Sequence, residues 1–452
     1  MSGAEEDRDP ARADWRAGLG DRLVSAEEAV RRVRSGDLVR LALGPVPGTL
    51  VRALAARRDQ LSGVRVFQGA STAAQPWAGE EPGWEEHIQY VTDFTSVFVR
   101  KSMAARRADF VVSDFAIGSK VQEAGRHDGW AADVFMVRVS EPDAQGLVSF
   151  GYALWYAKAL RRAARLSIAE VGRDVLRTCG DNRIALAEFD LVVEEEEAPP
   201  PLRSYYRELG PERVAVTEVI GAYVSTLVND GDTVQIGTGS LSSCMGTYLE
   251  GKRDLGIDSE ILVPSAIELV KSGTATGRYK TCYPGVATGS FVVPGADFDF
   301  CRDNPRVALY DIEWVNSLPR IAAIRNLVAI NQASSIDLTG QVASESIGPT
   351  MYTGPGGQLV WTVGAMFAPG GRSIHVLPST ARGDSTSRIV ASLAPGTIVT
   401  VPRTFVDFVV TEHGIANLQG LSQRQRALAL IDLAHPKFRE ELRAEARRLF
   451  WP

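Results

Sequence analysis

The sequence predicts an α/β protein made of two related halves with mainly parallel sheets. Three observations carry this expectation: an internal repeat, strand–helix–strand spacing within each copy, and an acidic, proline-rich segment between the copies. The repeat pairs residues 25–44 with residues 219–237. In each copy a helix-period segment ends at a Gly-Asp pair, Gly36-Asp37 or Gly231-Asp232, and runs into a strand that stops at glycine. Ser25 and Glu28 stand at capping-box spacing, which sets the start of the first helix. Gly36 and Gly231 fall where a helix C-cap requires positive φ.

A second helix is expected after each glycine, over 49–61 and 241–254. A short apolar strand follows, 64–67 in one half and 257–262 in the other. Units of this length favour parallel pairing with right-handed crossovers. The run from Val192 to Pro201 joins four glutamates to three prolines. Such a segment cannot continue a sheet and tends towards extended polyproline. The expected organisation is a tail over 1–19, a first α/β domain over 20–195, a linker over 196–214 and a second α/β domain over 215–452.

Composition narrows the function. Of 452 residues, 45% are apolar and 23% charged, so each half can bury a core. The net charge of −6 argues against a nucleic-acid partner, which needs a basic face. The four cysteines form no CxxC pair and read as buried, reduced thiols. The five histidines do not fall at ligand spacing near them, so no metal site is expected. The first residues are polar and acidic, without an apolar run of signal-peptide kind, and no stretch is long and apolar enough to span a membrane. A cytoplasmic location is the expectation.

In doubly wound sheets, ligands bind beyond the carboxyl ends of the strands. Two features of the second half fall there. Gly237-Thr238-Gly239-Ser240-Leu241 follows a strand and opens a helix, so its backbone N–H groups suit an anion or a thioester carbonyl. A tight turn alone would explain the same glycines. Glu260 follows on an apolar strand, where partial desolvation raises the energy of its carboxylate. An exposed strand-end acid is the plainer alternative. By the repeat, Glu260 aligns with Phe67, as a single site on a duplicated scaffold would require.

Downstream, Gly354-Pro355-Gly356-Gly357 lets a backbone approach a ligand closely and aim its N–H groups at one point. Arg382 could pair with a phosphate. His413 beside Glu412 is a candidate base, although a hydrogen-bonded structural histidine is the simpler reading. No G-x-S-x-G elbow occurs, which disfavours a serine hydrolase.

Several ordered segments resemble one family: Gly340-Gln-Val342, Glu345-Ser-Ile-Gly348, Gly354-Pro-Gly-Gly-Gln358, Pro378-Ser-Thr-Ala381, Val410-Thr-Glu-His-Gly-Ile-Ala416 and Leu433-Ala-His-Pro-Lys-Phe-Arg439, with Ser140-Glu-Pro-Asp-Ala-Gln-Gly146 and Ile168-Ala-Glu-Val171 in the first half. Together they are similar to the acetyl-CoA hydrolase/transferase family, of the 4-hydroxybutyrate CoA-transferase type. The resemblance implies two open α/β domains of the class I CoA-transferase kind, assembled as a homodimer or homotetramer. It implies CoA transfer from a short acyl-CoA to a carboxylic acid by a ping-pong route through a glutamyl–CoA thioester, with no permanently bound cofactor.

The family's catalytic glutamate follows a glycine loop at a spacing that falls on Glu260 and passes over Glu268. By the same matching, Gly237, Thr238, Gly239, Ser240 and Leu241 line the thioester and pantetheine, with Gly356 and Gly357 also on the CoA side. Asn316 and the amide of Gly357 hold the reacting carboxyl, and Arg382 matches a basic CoA contact. Acyl-CoA hydrolysis at the same site, and CoA binding without turnover, are the alternative functions.

Overall fold

The computed structural model describes residues 14–79, 81–116, 132–198 and 210–452. Among them, one sheet is built from β1 (Leu38–Leu41), β2 (Val64–Phe67), β3 (Ile88–Thr92), β4 (Ala108–Phe110), β5 (Val134–Ser140), β6 (Leu166–Gly172) and β7 (Leu191–Glu194). Its order is β7-β6-β5-β1-β2-β3-β4, with every pairing parallel. A second sheet holds β8 (Thr233–Ile236), β9 (Gly256–Ile257), β10 (Leu327–Gln332), β11 (Arg372–Val376), β12 (Phe408–Thr411) and β13 (Gly414–Asn417). Its order is β9-β8-β10-β11-β12-β13, parallel except for the last hairpin. The fold is thus α/β with mainly parallel sheets. The central strands β1, β5 and β8 are buried along their whole length, as parallel strands covered on both faces must be.

The two orders correspond: β7-β6-β5-β1-β2 in one sheet matches β12-β11-β10-β8-β9 in the other. The turns before β1 and β8 match atom for atom. Gly36 N–H donates to Ser62 O at 3.0 Å, and Gly231 N–H to Arg253 O at 2.9 Å. Asp37 accepts from Arg34 N at 2.8 Å, and Asp232 from Asn229 N at 2.6 Å. Asp37 is bridged by Arg165 and Asp232 by Arg372, each arginine standing at the entry to the corresponding strand. Gly36 and Gly231 do adopt positive φ, +83° and +80°. They sit in these tight turns rather than at helix C-caps, because the helices stop earlier, at Val30 and Thr226.

Register corrects the alignment of the halves. Leu38 faces Arg65 and Thr233 faces Gly256, so the residue corresponding to Glu260 is Gly69, two places beyond Phe67. Local structure also departs from expectation. The strand expected over 257–262 is broken: β9 ends at Ile257, and Ile261–Leu262 pairs with Phe291–Val292 instead. The helix expected over 241–254 is a 3-10 helix, Ser242–Leu249, and that over 49–61 is a shorter helix, Gly48–Ala55, followed by a 3-10 turn. At the first helix Ser25 caps Glu28 N–H at 3.2 Å.

The halves are stitched together. Cys179–Gly180 pairs with Val307–Leu309, Ala153 bridges Phe291, and one apolar cluster contains Val137, Phe150 and Tyr152 with Val234, Ile330 and Val410. The tail 1–19 is described only from residue 14, and 199–209 of the linker lie outside the described residues; the following helix opens on Pro211, inside the expected linker. Of the four cysteines only Cys301 is buried; the other three are half-buried. Among the described residues no helix is long and apolar enough to cross a membrane.

Candidate active site

The break between β9 and Ile261–Leu262 places Glu260 at the carboxyl edge of the second sheet. Asp258 bridges Thr288, Ser259 Oγ donates to Ile236 O at 3.2 Å, and Glu260 O accepts from Ser290 N at 3.0 Å. The backbone is therefore held on both sides of the glutamate, and its side chain is buried, only 8% exposed.

Asn316 Nδ2 donates to Glu260 Oε2 at 2.6 Å. Asn316 ends the short helix Ile312–Val315, with its N–H on Ile312 O at 2.8 Å. Trp361 Nε1 donates to Asn316 Oδ1 at 3.0 Å. An indole N–H can only donate, so it fixes which end of the amide faces the glutamate. Gly357 is the N-cap of the helix Gln358–Phe367. A methyl group built on it would overlap Glu260 Oε2 and come within 2.9 Å of Asn316 Nδ2. Only glycine lets the backbone approach the carboxyl so closely, and the positive end of the helix then faces it.

Burial, as the largest effect, raises the Glu260 pKa to about 7; the hydrogen bond from Asn316 lowers it and the charge of Asp114 raises it. A carboxyl poised there is both present as the anion near neutrality and poorly solvated. Glu268 stands apart on the helix Pro264–Ser272, where its hydrogen bond to Asp297 raises its pKa.

The structure thus brings Glu260, Asn316 and Gly357 together. The glycine loop is more committed than expected. Gly237 N–H donates to Ile330 O at 2.8 Å, Gly239 N–H to Ser243 Oγ at 3.2 Å and Leu241 N–H to Gln332 Oε1 at 2.9 Å. These groups hold the loop rather than await a ligand. Thr238 is exposed and Ser240 half-exposed, and Gln332, through its carbonyl, also accepts from Gln358 Nε2 at 3.4 Å, beside Gly357. Gly356 lies in the same turn as Gly357 with φ +55°. Arg382 lies on the exposed turn between Thr380–Ala381 and Thr386–Ser387. Glu412 accepts from Ser379 N–H at 2.9 Å, and His413 packs on His435, its pKa lowered by burial. Among the described residues His413 Nε2 is buried with no hydrogen-bond partner and stands 3.6 Å from Glu412 Oε1, so the hydrogen-bonded histidine of the simpler reading is not what is found.

Two contributions went unread in the sequence. Trp361 stands four residues after Gly357, one helical turn on, so helix spacing carried a signal for it. The first half also reaches the site: a methyl on Gly354 would lie 2.5 Å from Asp93 O, and Thr95 N–H donates to Thr353 O at 3.3 Å. No local pattern announces that contact. Among the described residues no group of three or more His, Cys, Asp or Glu side chains could hold a metal ion.

Residues 7–202 match the acetyl-CoA hydrolase/transferase N-terminal domain, and residues 296–446 the C-terminal domain of the same name. A 4-hydroxybutyrate coenzyme A transferase of Clostridium kluyveri is 36% identical, over 97% of this chain and 100% of its own. A succinyl-CoA:cyclohexane-1-carboxylate CoA transferase of Geobacter metallireducens is 35% identical, over 95% of each chain. The crystal structure of RipA from Yersinia pestis superposes with a TM-score of 0.84 at 30% identity, over 97% of this chain and 100% of RipA. With both family domains matched and relatives of 36% and 35% identity aligned along nearly the whole length, the chain belongs to the acetyl-CoA hydrolase/transferase family.

Proposed function

We propose that this chain is an acyl-CoA:carboxylate CoA-transferase in which Glu260 carries the acyl group and CoA in turn. The observation that carries the reading is the buried Glu260 carboxyl, held at 2.6 Å by Asn316 and overlooked by the Gly357 backbone. Relatives named as CoA transferases acting on 4-hydroxybutyrate, on succinyl-CoA with cyclohexane-1-carboxylate, and on butyryl-CoA with acetate support the reaction class.

The Glu260 carboxylate attacks the thioester carbonyl of the acyl-CoA. The C–S bond breaks, CoA thiolate leaves and an acyl-glutamyl anhydride remains. The thiolate attacks the glutamyl carbonyl of the anhydride, expelling the first acid as carboxylate and leaving a glutamyl–CoA thioester. A second carboxylate attacks that thioester and reverses the sequence, so no net proton is consumed. A carboxylate is a weak nucleophile, and positioning can supply an effective molarity of about 10⁵ M or more. The Asn316 amide is placed for the oxyanion formed on the glutamyl carbon, where one good donor is worth about 3 kcal/mol. Arg382 is assigned to a CoA phosphate, and Thr238 and Ser240 to the pantetheine flank. Burial keeps bulk water from the reacting carbon, which favours transfer over hydrolysis.

The test is to incubate the enzyme with acyl-CoA and no acceptor, reduce with borohydride and map the peptides by mass. Reduction confined to Glu260 is the expected result. Reduction at another acid, or near-normal turnover in Glu260→Ala, would overturn the assignment.

A further inference from the structure

Beneath the glutamate lies a buried charged triad that the chemistry above does not use. Asp258 is two residues before Glu260. Arg320 Nη2 is shared between its two carboxylate oxygens, 2.6 Å from Oδ1 and 2.7 Å from Oδ2. Lys280 Nζ stands 3.5 Å from Asp258 Oδ2. The Asp258 and Lys280 side chains are each 1% exposed and that of Arg320 8%. Charges so buried are costly unless every partner is in place, so a chain gains little bulk stability from them over a well-packed apolar core.

Their contacts indicate a different role. Arg320 also donates to Val315 O at 3.0 Å, the carbonyl immediately before Asn316. Its guanidinium lies 3.9 Å from the centre of the Trp314 ring, on the same short helix. One planar fork therefore grips the segment carrying the nucleophile and the segment carrying its amide partner, which are 56 residues apart in sequence. Lys280 closes the other side, donating to Ile257 O at 2.8 Å, Val286 O at 2.6 Å and Thr288 Oγ1 at 2.9 Å. Those atoms belong to the strand end and the bridge from which Glu260 projects.

We propose that Arg320 is a positioning residue for CoA transfer: through Asp258 and Val315 it sets the separation of the Glu260 carboxyl and the Asn316 amide, with Lys280 bracing the Asp258 side. The proposal rests on Glu260 being the nucleophile. Arg320 uses two nitrogens of one rigid plane, Nη2 on the carboxylate and Nη1 on the carbonyl, and the single Nζ of lysine cannot stand at both places, so Arg320→Lys keeps the charge and loses the geometry.

The experiment measures kcat, KM for acyl-CoA, the acid limb of the pH–rate profile and thermal unfolding for four enzymes: wild type, Asn316→Ala, Arg320→Lys and the double variant. Arg320→Lys is expected to lower kcat per folded site about tenfold with KM little changed, because the loss falls on orientation of the reacting groups. Its acid limb should move to higher pH, in the direction of Asn316→Ala, since both weaken the bond that favours the Glu260 anion. The double variant should show no further displacement beyond Asn316→Ala, the mark of two residues acting through one contact.

A limb that responds to Asn316→Ala and not to Arg320→Lys, with only thermal stability lowered, overturns the positioning role and leaves the nucleophile in place. Additive displacements also overturn it. A limb unmoved by Asn316→Ala would instead remove the Glu260 reading.

Discussion

The two halves share strand order and turn chemistry but treat a buried carboxyl in opposite ways. In the second half the strand breaks after β9, and Glu260 meets an amide, a helix N-terminus and the further negative charge of Asp114. In the first half the corresponding residue is Gly69, and the acid that fills the space above it is Asp93, whose Oδ1 would lie 2.9 Å from a methyl built there. Burial raises the Asp93 pKa to about 6, while the guanidinium of Arg40 pulls it down. One carboxyl is offset by a cation and serves the architecture. The other is left to neutral donors, the setting that the proposed nucleophile needs. At two equivalent strand ends, charge compensation is what distinguishes one buried carboxyl from the other.

Removing the uncompensated acid should break this contrast most completely. Glu260→Gln is expected to lower turnover by at least about 10³-fold, the range seen when a covalent nucleophile is lost. The same variant carries a stability signature. The Glu260 pKa is raised in the folded chain, so its contribution to stability is present in full at acid pH and is lost as pH rises through about 7. Glu260→Gln should therefore gain stability over wild type above neutrality, on the order of 2 kcal/mol, and not at pH 4, in urea titrations at the two pH values. Turnover of the wild type should rise across that same window, because the anion is the proposed nucleophile.

Gly357→Ala is next in size. Its methyl would occupy the place of Glu260 Oε2, and a fall in kcat of about 10²-fold is expected, with CoA affinity in calorimetry much less affected. Asn316→Ala should cost a comparable factor, about 10²-fold in kcat, and move the acid limb upward. A last pair of variants, expected to act on stability and not on turnover, tests the shared turns. Arg165→Ala breaks a half-exposed pair with Asp37 and should cost under about 1 kcal/mol. Arg372→Ala exposes the more deeply buried Asp232 and should cost roughly 3 kcal/mol. Equal losses in chemical denaturation would show that the two turns are not unequal partners of one design.

What could be read beforehand followed from local rules. The Gly-Asp pairs and the strand–helix period are short-range patterns, and they led to mainly parallel sheets. The same rules misjudged places where tertiary contacts decide. Ile257 to Leu262 reads as one apolar strand, yet Asp258 is claimed by Arg320 and Lys280, and the chain turns so that Ile261–Leu262 can pair with Phe291–Val292. Counting along an unbroken strand then put Glu260 opposite Phe67 instead of Gly69. The N–H groups of Gly237–Leu241 looked available because Gln332 and Ile330, which accept from them, lie about 90 residues away. Asn316 was found through the family likeness alone, since nothing in Trp314-Val-Asn316 signals a catalytic amide. Trp361, which donates to it, was signalled only by its place one helical turn after Gly357, and Arg320 bonds the preceding carbonyl through a contact that sequence spacing does not encode.

The strap from Thr353 to Gly357 spans the two halves. Its first residue accepts a hydrogen bond from Thr95 and its second, Gly354, packs on Asp93, while its last residue lies against the carboxyl. Any parting of the sheets would draw that strap off Glu260 as it lets solvent in. A thioester on Glu260, as proposed, would then be least activated at the moment it is most exposed, which would spare it from water between the departure of one acid and the arrival of the next.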